Sequence, residues 1–257
     1  MTLSVDAFSL KGKVAIVTGA GGRGNSIGRA YARALAAYGA SVIAADINGD
    51  GADYVADEIG GNALGVQVDI TDRASVARLV ETTRDAFGGV DILVNNAALM
   101  VEMRDTTLGI SLESWNRALA VNLTGALLCA QACVPLMKAR GGGKIVNQMS
   151  GGAYPAGGVY GITKIAVGGL TTALAKELGP HNINVNAIAP GMVKSDAGLS
   201  LTPDDSPFVK LVAMQATLRP RGEPDDLCGP LLMLVSPAGA WMTGQILNVD
   251  GGWIMRA

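Results

Sequence analysis

Val14-Ala-Ile-Val-Thr18, running into Gly-Ala-Gly-Gly-Arg-Gly-Asn-Ser-Ile-Gly28, decides the fold. The first five residues are a short β-branched run. The ten that follow are glycine-rich, and a helical pattern then sets in over 27–38 and ends at Gly39. A strand, a glycine turn and a helix in that order open a βαβ unit, because glycines let the chain turn tightly and present main-chain N–H groups at a helix start. The alternation continues with strands at 41–46, 64–68, 91–95, 144–149, 183–189 and 245–249. Helices fall at 50–59, 72–87, 112–139, through 164 to 178, and at 224–235. The strands are continuous apolar runs, the pattern of a parallel sheet covered on both faces. The expected fold class is therefore α/β: one doubly wound, mostly seven-stranded parallel sheet with helices on both faces. It forms a single domain over 1–257, with an irregular stretch at 190–222.

Composition narrows the class. The chain has 257 residues, 49% of them hydrophobic, and a net charge of −2, so it offers no electrostatic footprint for nucleic acid or an anionic membrane. Cys129 and Cys133 stand four residues apart in an apolar helical run and read, with Cys228, as reduced thiols; no metal set is expected. The opening residues lack the charged start and apolar core of a signal peptide. No apolar run is expected to cross a bilayer, and a cytoplasmic location is expected.

A second stretch carries the chemistry: Ser150-Gly-Gly-Ala-Tyr-Pro-Ala-Gly-Gly-Val-Tyr160-Gly-Ile-Thr-Lys164. Tyr160 and Lys164 share one helix face a turn apart. A fixed ammonium beside a phenol favours the phenolate, which predicts a Tyr160 pKa below the ordinary value of about 10. Ser150 arrives from the preceding strand end, where its hydroxyl can hydrogen-bond a substrate oxygen. At the end of the second strand, Asp46 stands where a carboxylate meets the adenosine ribose of a dinucleotide. It would accept from both ribose hydroxyls and repel a 2′-phosphate, favouring NAD over NADP. Arg23 in the glycine turn is a counter-signal.

The Thr18–Gly28 turn, Asp69, Asn95-Asn-Ala-Ala98, Asn122, Ser150, Tyr160 with Lys164, and Pro190-Gly191 together resemble the short-chain dehydrogenase/reductase family, of about 250 residues, over nearly the whole chain. The resemblance implies a Rossmann-type, NAD(P)-binding domain. Gly19, Gly21, Asn25, Ser26, Ile27 and Gly28 would then surround the pyrophosphate, and Asp46 and Ile47 the ribose. Asp69 and Ile70 would flank the adenine, and Asn95, Asn96, Ala97 and Ala98 would form the floor. Pro190, Gly191, Val193 and Ser195 would hold the nicotinamide carboxamide. The implied catalytic set is Asn122, Ser150, Tyr160 and Lys164. Tyr160 is the acid/base, Ser150 orients the oxygen, and Lys164 tunes the phenol and binds the nicotinamide ribose. Asn122 sits inside a helix, an unfavourable place for Asn, which predicts a local distortion there.

Two departures from the family pattern stand out. The glycine turn is about three residues longer than usual, with Ser26 at the middle glycine position, and the Ser150–Tyr160 interval is about three residues shorter. The longer turn resembles that of enoyl-thioester reductases, which however space Tyr and Lys more widely. The implied activity is interconversion of a secondary alcohol and a ketone on a small, largely apolar substrate, alicyclic or hydroxyacyl. Two alternatives stay open: a non-catalytic NAD(H)-binding regulator, and a 3-oxoacyl-thioester reductase using NADPH. The substrate wall is expected from Met149, Ala153, Tyr154, Pro155, Met100, Val101 and Met192. The 195–220 segment, with Leu199, Leu201, Phe208, Leu211 and Met214, is either a packed surface helix or a mobile lid. The apolar faces of 112–139 and 160–178 imply a homo-oligomer, by resemblance a homotetramer. His181 reads as a turn residue.

Overall fold

The computed structural model describes residues 5–22, 24–100, 106–156 and 158–255. All seven strands enter one parallel sheet in the order β3-β2-β1-β4-β5-β6-β7. These are β1 Val14–Thr18, β2 Ser41–Asp46, β3 Ala63–Gln67, β4 Ile92–Asn95, β5 Gly143–Gln148, β6 Ile183–Pro190 and β7 Ile246–Val249. The direction of winding reverses between β1 and β4, and in open α/β sheets the crevice beyond the strand ends at such a point is where ligands bind.

Successive strand residues point to opposite faces, so a strand covered on both sides is mostly apolar. β1 shows this directly. Ala15 and Val17 enter one core with Tyr31 and Leu35 of α1 (Ile27–Ala37) and Leu231 and Leu234 of α10 (Cys228–Val235). Ile16 enters the other, with Leu79 of α3 (Arg73–Phe87), Cys133 and Met137 of α5 (Gly125–Ala139) and Leu178 of α7 (Gly158–Leu178). The three cysteines are free, with Cys129 and Cys133 buried. The remaining helices are α2 Gly49–Ile59, α4 Leu112–Leu119, α6 Ala153–Ala156, α8 Asp196–Leu201 and α9 Pro207–Gln215. His181 closes a short 3₁₀ turn at Gly179–His181.

Three expectations need correction. The helix at 112–139 is not continuous: a π turn at Ala120–Thr124 separates α4 from α5, with Gly125 N–H donating to the Ala120 carbonyl five residues back. This is the distortion foreseen at Asn122. The same Leu112–Ala139 span is, by length and composition, apolar enough to cross a membrane, contrary to the expectation that no run would be. Its C-terminal part packs on α3, β4 and β5, which accounts for one apolar face. The 190–222 stretch is not irregular, since it contains α8 and α9, each started by a serine whose hydroxyl accepts from the third following N–H, Ser195 from Gly198 and Ser206 from Val209.

Candidate active site

The glycine turn is built by close backbone approach. Thr18 Oγ1 accepts from the N–H groups of Asn96 and Ala97 at 3.1 and 3.2 Å, drawing the ends of β1 and β4 together. Asn96 Nδ2 donates to the carbonyls of Thr18 and Gly19, both at 3.0 Å. Gly19 has φ +68, and a Cβ there would lie 2.7 Å from Ala97 Cα. A Cβ on Gly28 would fall 2.1 Å from the Gly19 carbonyl oxygen, so neither position admits a side chain. Ser26 caps α1 by accepting from Arg29 N–H at 3.3 Å.

A cavity of about 400 Å³ opens at this end of the sheet. Gly19, Ser26, Ile27, Gly28, Asp46, Asn96, Ala97 and Ala98 line one part of it. Ser150, Tyr160, Lys164, Pro190, Gly191, Val193 and Ser195 line another. Asp46 Oδ2 accepts from Gly21 N–H at 2.8 Å and Oδ1 from Asn48 N–H at 2.9 Å. A carboxylate has about four acceptor sites, so two remain for a ligand.

Other expected contacts lie outside the lining. Gly21 acts through its N–H to Asp46. Asn25 ties the turn to the start of α8: its Nδ2 donates to the Lys194 carbonyl at 2.7 Å, its N–H to Asp196 Oδ2 at 3.2 Å, and its carbonyl accepts from Asp196 N–H at 2.9 Å. Ile47 is exposed and Asp69 is turned onto Thr71, its Oδ1 accepting from that residue's N–H at 2.8 Å. Ile70 is buried in the core, packed where a Cβ on Gly125 would meet it. Asn95 does not form a floor. It is buried in the sheet, with Nδ2 donating to Asn147 Oδ1 at 2.9 Å, while Asn147 Nδ2 donates to Thr171 at 3.0 Å. Arg23 and Val101 lie outside the described residues, as does the side chain of Pro155.

Ser150 follows the end of β5 and lines the same cavity wall as Tyr160, near enough that its hydroxyl favours the ionised phenol. Lys164 is 2% exposed, with Nζ donating to the Gln148 carbonyl at 2.8 Å and lying 5.7 Å from the Tyr160 ring centroid. Burial pushes Tyr160 up to about 12, partly opposed by the nearby Ser150 hydroxyl, and pushes Lys164 down to about 8. The expectation of a depressed Tyr160 therefore does not hold here. Desolvation outweighs the neighbouring cation, whose own charged form is weakened by the same burial. Asn122 is buried and does not line the cavity. Its Oδ1 accepts from Leu99 N–H at 2.7 Å, and its Nδ2 donates to the Leu99 carbonyl at 3.1 Å and to Thr163 Oγ1 at 3.0 Å. Thr163 in turn donates to the Tyr160 carbonyl at 2.8 Å, so Asn122 braces the turn that carries the phenol.

Met100, Met149 and Met192 line the cavity as expected, whereas Ala153 is buried elsewhere and Tyr154 turns its hydroxyl to Met149 Sδ at 3.7 Å. Of the apolar residues expected from 195–220 only Phe208 reaches the lining, and Leu211 and Met214 are exposed. Sequence reasoning missed Gly152, Thr202, Arg221 and Trp253. Buried Arg221 has Nε 2.7 Å from Asp204 Oδ1 and also donates to the Thr202 carbonyl, pinning the α8–α9 turn. The signal for Trp253 was an aromatic directly after Asp250-Gly-Gly. Among the described residues no His, Cys, Asp or Glu cluster suits a metal ion.

The comparisons with known proteins agree with this geometry. A family model described as enoyl-(acyl carrier protein) reductase matches residues 22–254. An uncharacterized oxidoreductase of Mycobacterium tuberculosis is 47% identical over 249 residues, covering 95% of this chain and 98% of its own. The crystal structure of a short-chain type dehydrogenase/reductase from Mycobacterium marinum superposes with a TM-score of 0.88 at 34% identity, over 99% of this chain and 100% of the other. A 7α-hydroxysteroid dehydrogenase complexed with NADH and 7-oxo glycochenodeoxycholic acid gives 0.90 at 34% identity, over 99% of each chain. The chain belongs to the short-chain dehydrogenase/reductase family of oxidoreductases.

Proposed function

We propose that the protein interconverts a secondary alcohol and a ketone on a largely apolar substrate, using NAD(H), with Tyr160 as the acid/base. The observation that carries this reading is that Ser150, Tyr160 and Lys164 line one cavity wall, with Lys164 Nζ 5.7 Å from the Tyr160 ring centroid. The dinucleotide, when bound, supplies or takes the hydride. The residues present suit such a group: N–H groups at the start of α1 for phosphates, and Asp46 with two acceptor sites spare for ribose hydroxyls. Asp46 also sets a negative charge against a 2′-phosphate, the basis for NAD over NADP. The NADH and the ring ketone in the 7α-hydroxysteroid dehydrogenase complex point the same way.

The chain's own groups then divide the work. A ketone oxygen placed between Ser150 and Tyr160 accepts a hydrogen bond from each, and Tyr160 gives up its proton as the alcohol forms. With its pKa raised, the phenol is fully protonated at neutral pH, the form that reduction requires. Oxidation needs the phenolate and is favoured in alkaline solution.

A panel of secondary alcohols and ketones, followed at 340 nm with NAD(H) and with NADP(H), tests the reading. Turnover with NAD(H) at the higher kcat/KM is expected, and Asp46→Ala narrows the gap by relieving the repulsion. Equal or better kcat/KM with NADP(H) in the wild type would remove the role given to Asp46. No turnover of any alcohol despite tight NADH binding would instead favour a cofactor-binding regulator.

A further inference from the structure

The part of the cavity that the proton-transfer groups do not occupy is aromatic. Trp253 lies just beyond β7 and is buried. Its ring meets Phe208 edge to face, with centroids 5.9 Å apart and planes at 75°, and its Nε1 donates to Gln215 Oε1 of α9 at 3.0 Å. On the chain side the indole has a firm support. Asp250 Oδ1 accepts from Gly252 N–H and Oδ2 from Ile254 N–H, both at 3.0 Å, so the residues flanking Trp253 are held to the strand end. The other edge of the indole rests on Gly152. A Cβ there would lie 3.3 Å from Trp253 Cη2, 3.4 Å from Cζ3 and 3.5 Å from Ser150 Oγ. The bare backbone at 152, in the shortened interval between Ser150 and Tyr160, thus leaves the slot the indole fills, next to the hydroxyl that orients the reacting oxygen.

Charge narrows what this wall can face. The charged residues among the described lining are Asp46, Lys164 and Arg221. Arg221 is neutralised by Asp204, and Lys164 is hydrogen-bonded to the Gln148 carbonyl beside Tyr160. Each of these cations thus already has a partner within the protein. Flat aromatic faces and a methionine lining suit hydrocarbon.

We infer that Trp253 is a specificity-determining residue. Together with Phe208 it takes the ring of a compact alicyclic secondary alcohol or ketone, and it sets how far a substrate extends past the reacting carbon. The inference rests on the alcohol/ketone activity proposed above.

The test compares kcat/KM for cyclohexanol and 1-decalol in the wild type, Trp253→Ala, Trp253→Phe and Gly152→Ala, with NADH binding titrated by fluorescence in each. Misfit of a few methylene groups in an apolar pocket changes kcat/KM by about tenfold or more. The wild type is expected to favour cyclohexanol by about that factor, Trp253→Ala to lose or reverse the preference, and Trp253→Phe to fall between. Gly152→Ala, whose methyl presses on the indole, moves the ratio the opposite way from Trp253→Ala or lowers both values. Should Trp253→Ala fail to bind NADH, the Phe variant decides. An unchanged ratio in a Trp253 variant that still binds NADH overturns the assignment of Trp253 alone. Absence of turnover with every secondary alcohol and ketone in the wild type overturns the activity, and this inference with it.

Discussion

Asn25 and Asp196 hold each other beside the cavity-lining residues Ser26, Ser195 and Ala197: Asn25 N–H donates to Asp196 Oδ2 at 3.2 Å, and Asp196 N–H donates back to the Asn25 carbonyl at 2.9 Å. One residue belongs to the lengthened glycine turn and the other opens α8. A dinucleotide bound in the cavity is expected to leave when this clasp parts. Asp196→Ala removes one of the bonds, each worth about 0.5–1.5 kcal/mol net. The NADH dissociation rate, followed by stopped-flow fluorescence, is expected to rise by roughly two- to tenfold on that basis. An unchanged rate would show that the clasp does not gate release.

Replacing Tyr160 with Phe removes a hydroxyl and leaves the ring and its packing in place. Turnover is expected to fall at least about a hundredfold, the usual contribution of a general acid–base group, with NADH affinity preserved. Near-normal turnover would end the proposed mechanism. Because burial holds the phenol near 12, an ultraviolet titration of wild type minus variant should show no Tyr160 ionisation until the pH is well above 10.

Lys164 offers a linkage measurement. Its pKa is pushed down to about 8 in the fold, against an ordinary 10.5 in the open chain. Below the lower value both states carry the proton, and the fold bears the full cost of a buried ammonium. Between the two values the unfolded chain binds more protons, so stability rises with pH. Lys164→Met keeps the length and abolishes the titration. Denaturant unfolding from pH 8 to pH 10 is expected to show the wild type gaining on the variant, by up to about 3 kcal/mol. A flat difference would mean that the ammonium stays hydrated.

Assembly is expected through one helix. Ile162, Ile165, Gly169 and Ala173 form an exposed, uncharged stripe along α7, and Trp241, close to β7, is 99% exposed. A homotetramer is expected from multi-angle light scattering at micromolar concentration, with Ile165→Asp lowering the mass. A monomeric wild type would refute it.

How far the sequence reached depended on whether a signal was local. Strand runs such as Val14–Thr18 and Ser41–Asp46 were readable to the residue because a strand covered on both faces has an unbroken apolar middle, here closed by the polar residues Thr18, Ser41 and Asp46. Ser150, Tyr160 and Lys164 were readable because the chain itself brings them together. The Tyr160 pKa was misread because proximity to a cation is visible in a four-residue spacing, whereas desolvation depends on everything packed around the pair. Trp253 was missed for the same reason: its partners Phe208, Gln215 and Gly152 lie 38 or more positions away, and no periodicity links them.

The π turn at Ala120–Thr124 makes fold and site separable at the level of a single codon. Such a turn holds one residue more than an α-helical turn, so losing one residue there restores an ordinary ladder while α4 and α5 keep their facing. Cys129, Cys133 and Met137 would stay in the core, but Asn122 would no longer meet Leu99 and Thr163. A lineage could shed the brace beneath Tyr160 and keep the scaffold by losing a single codon.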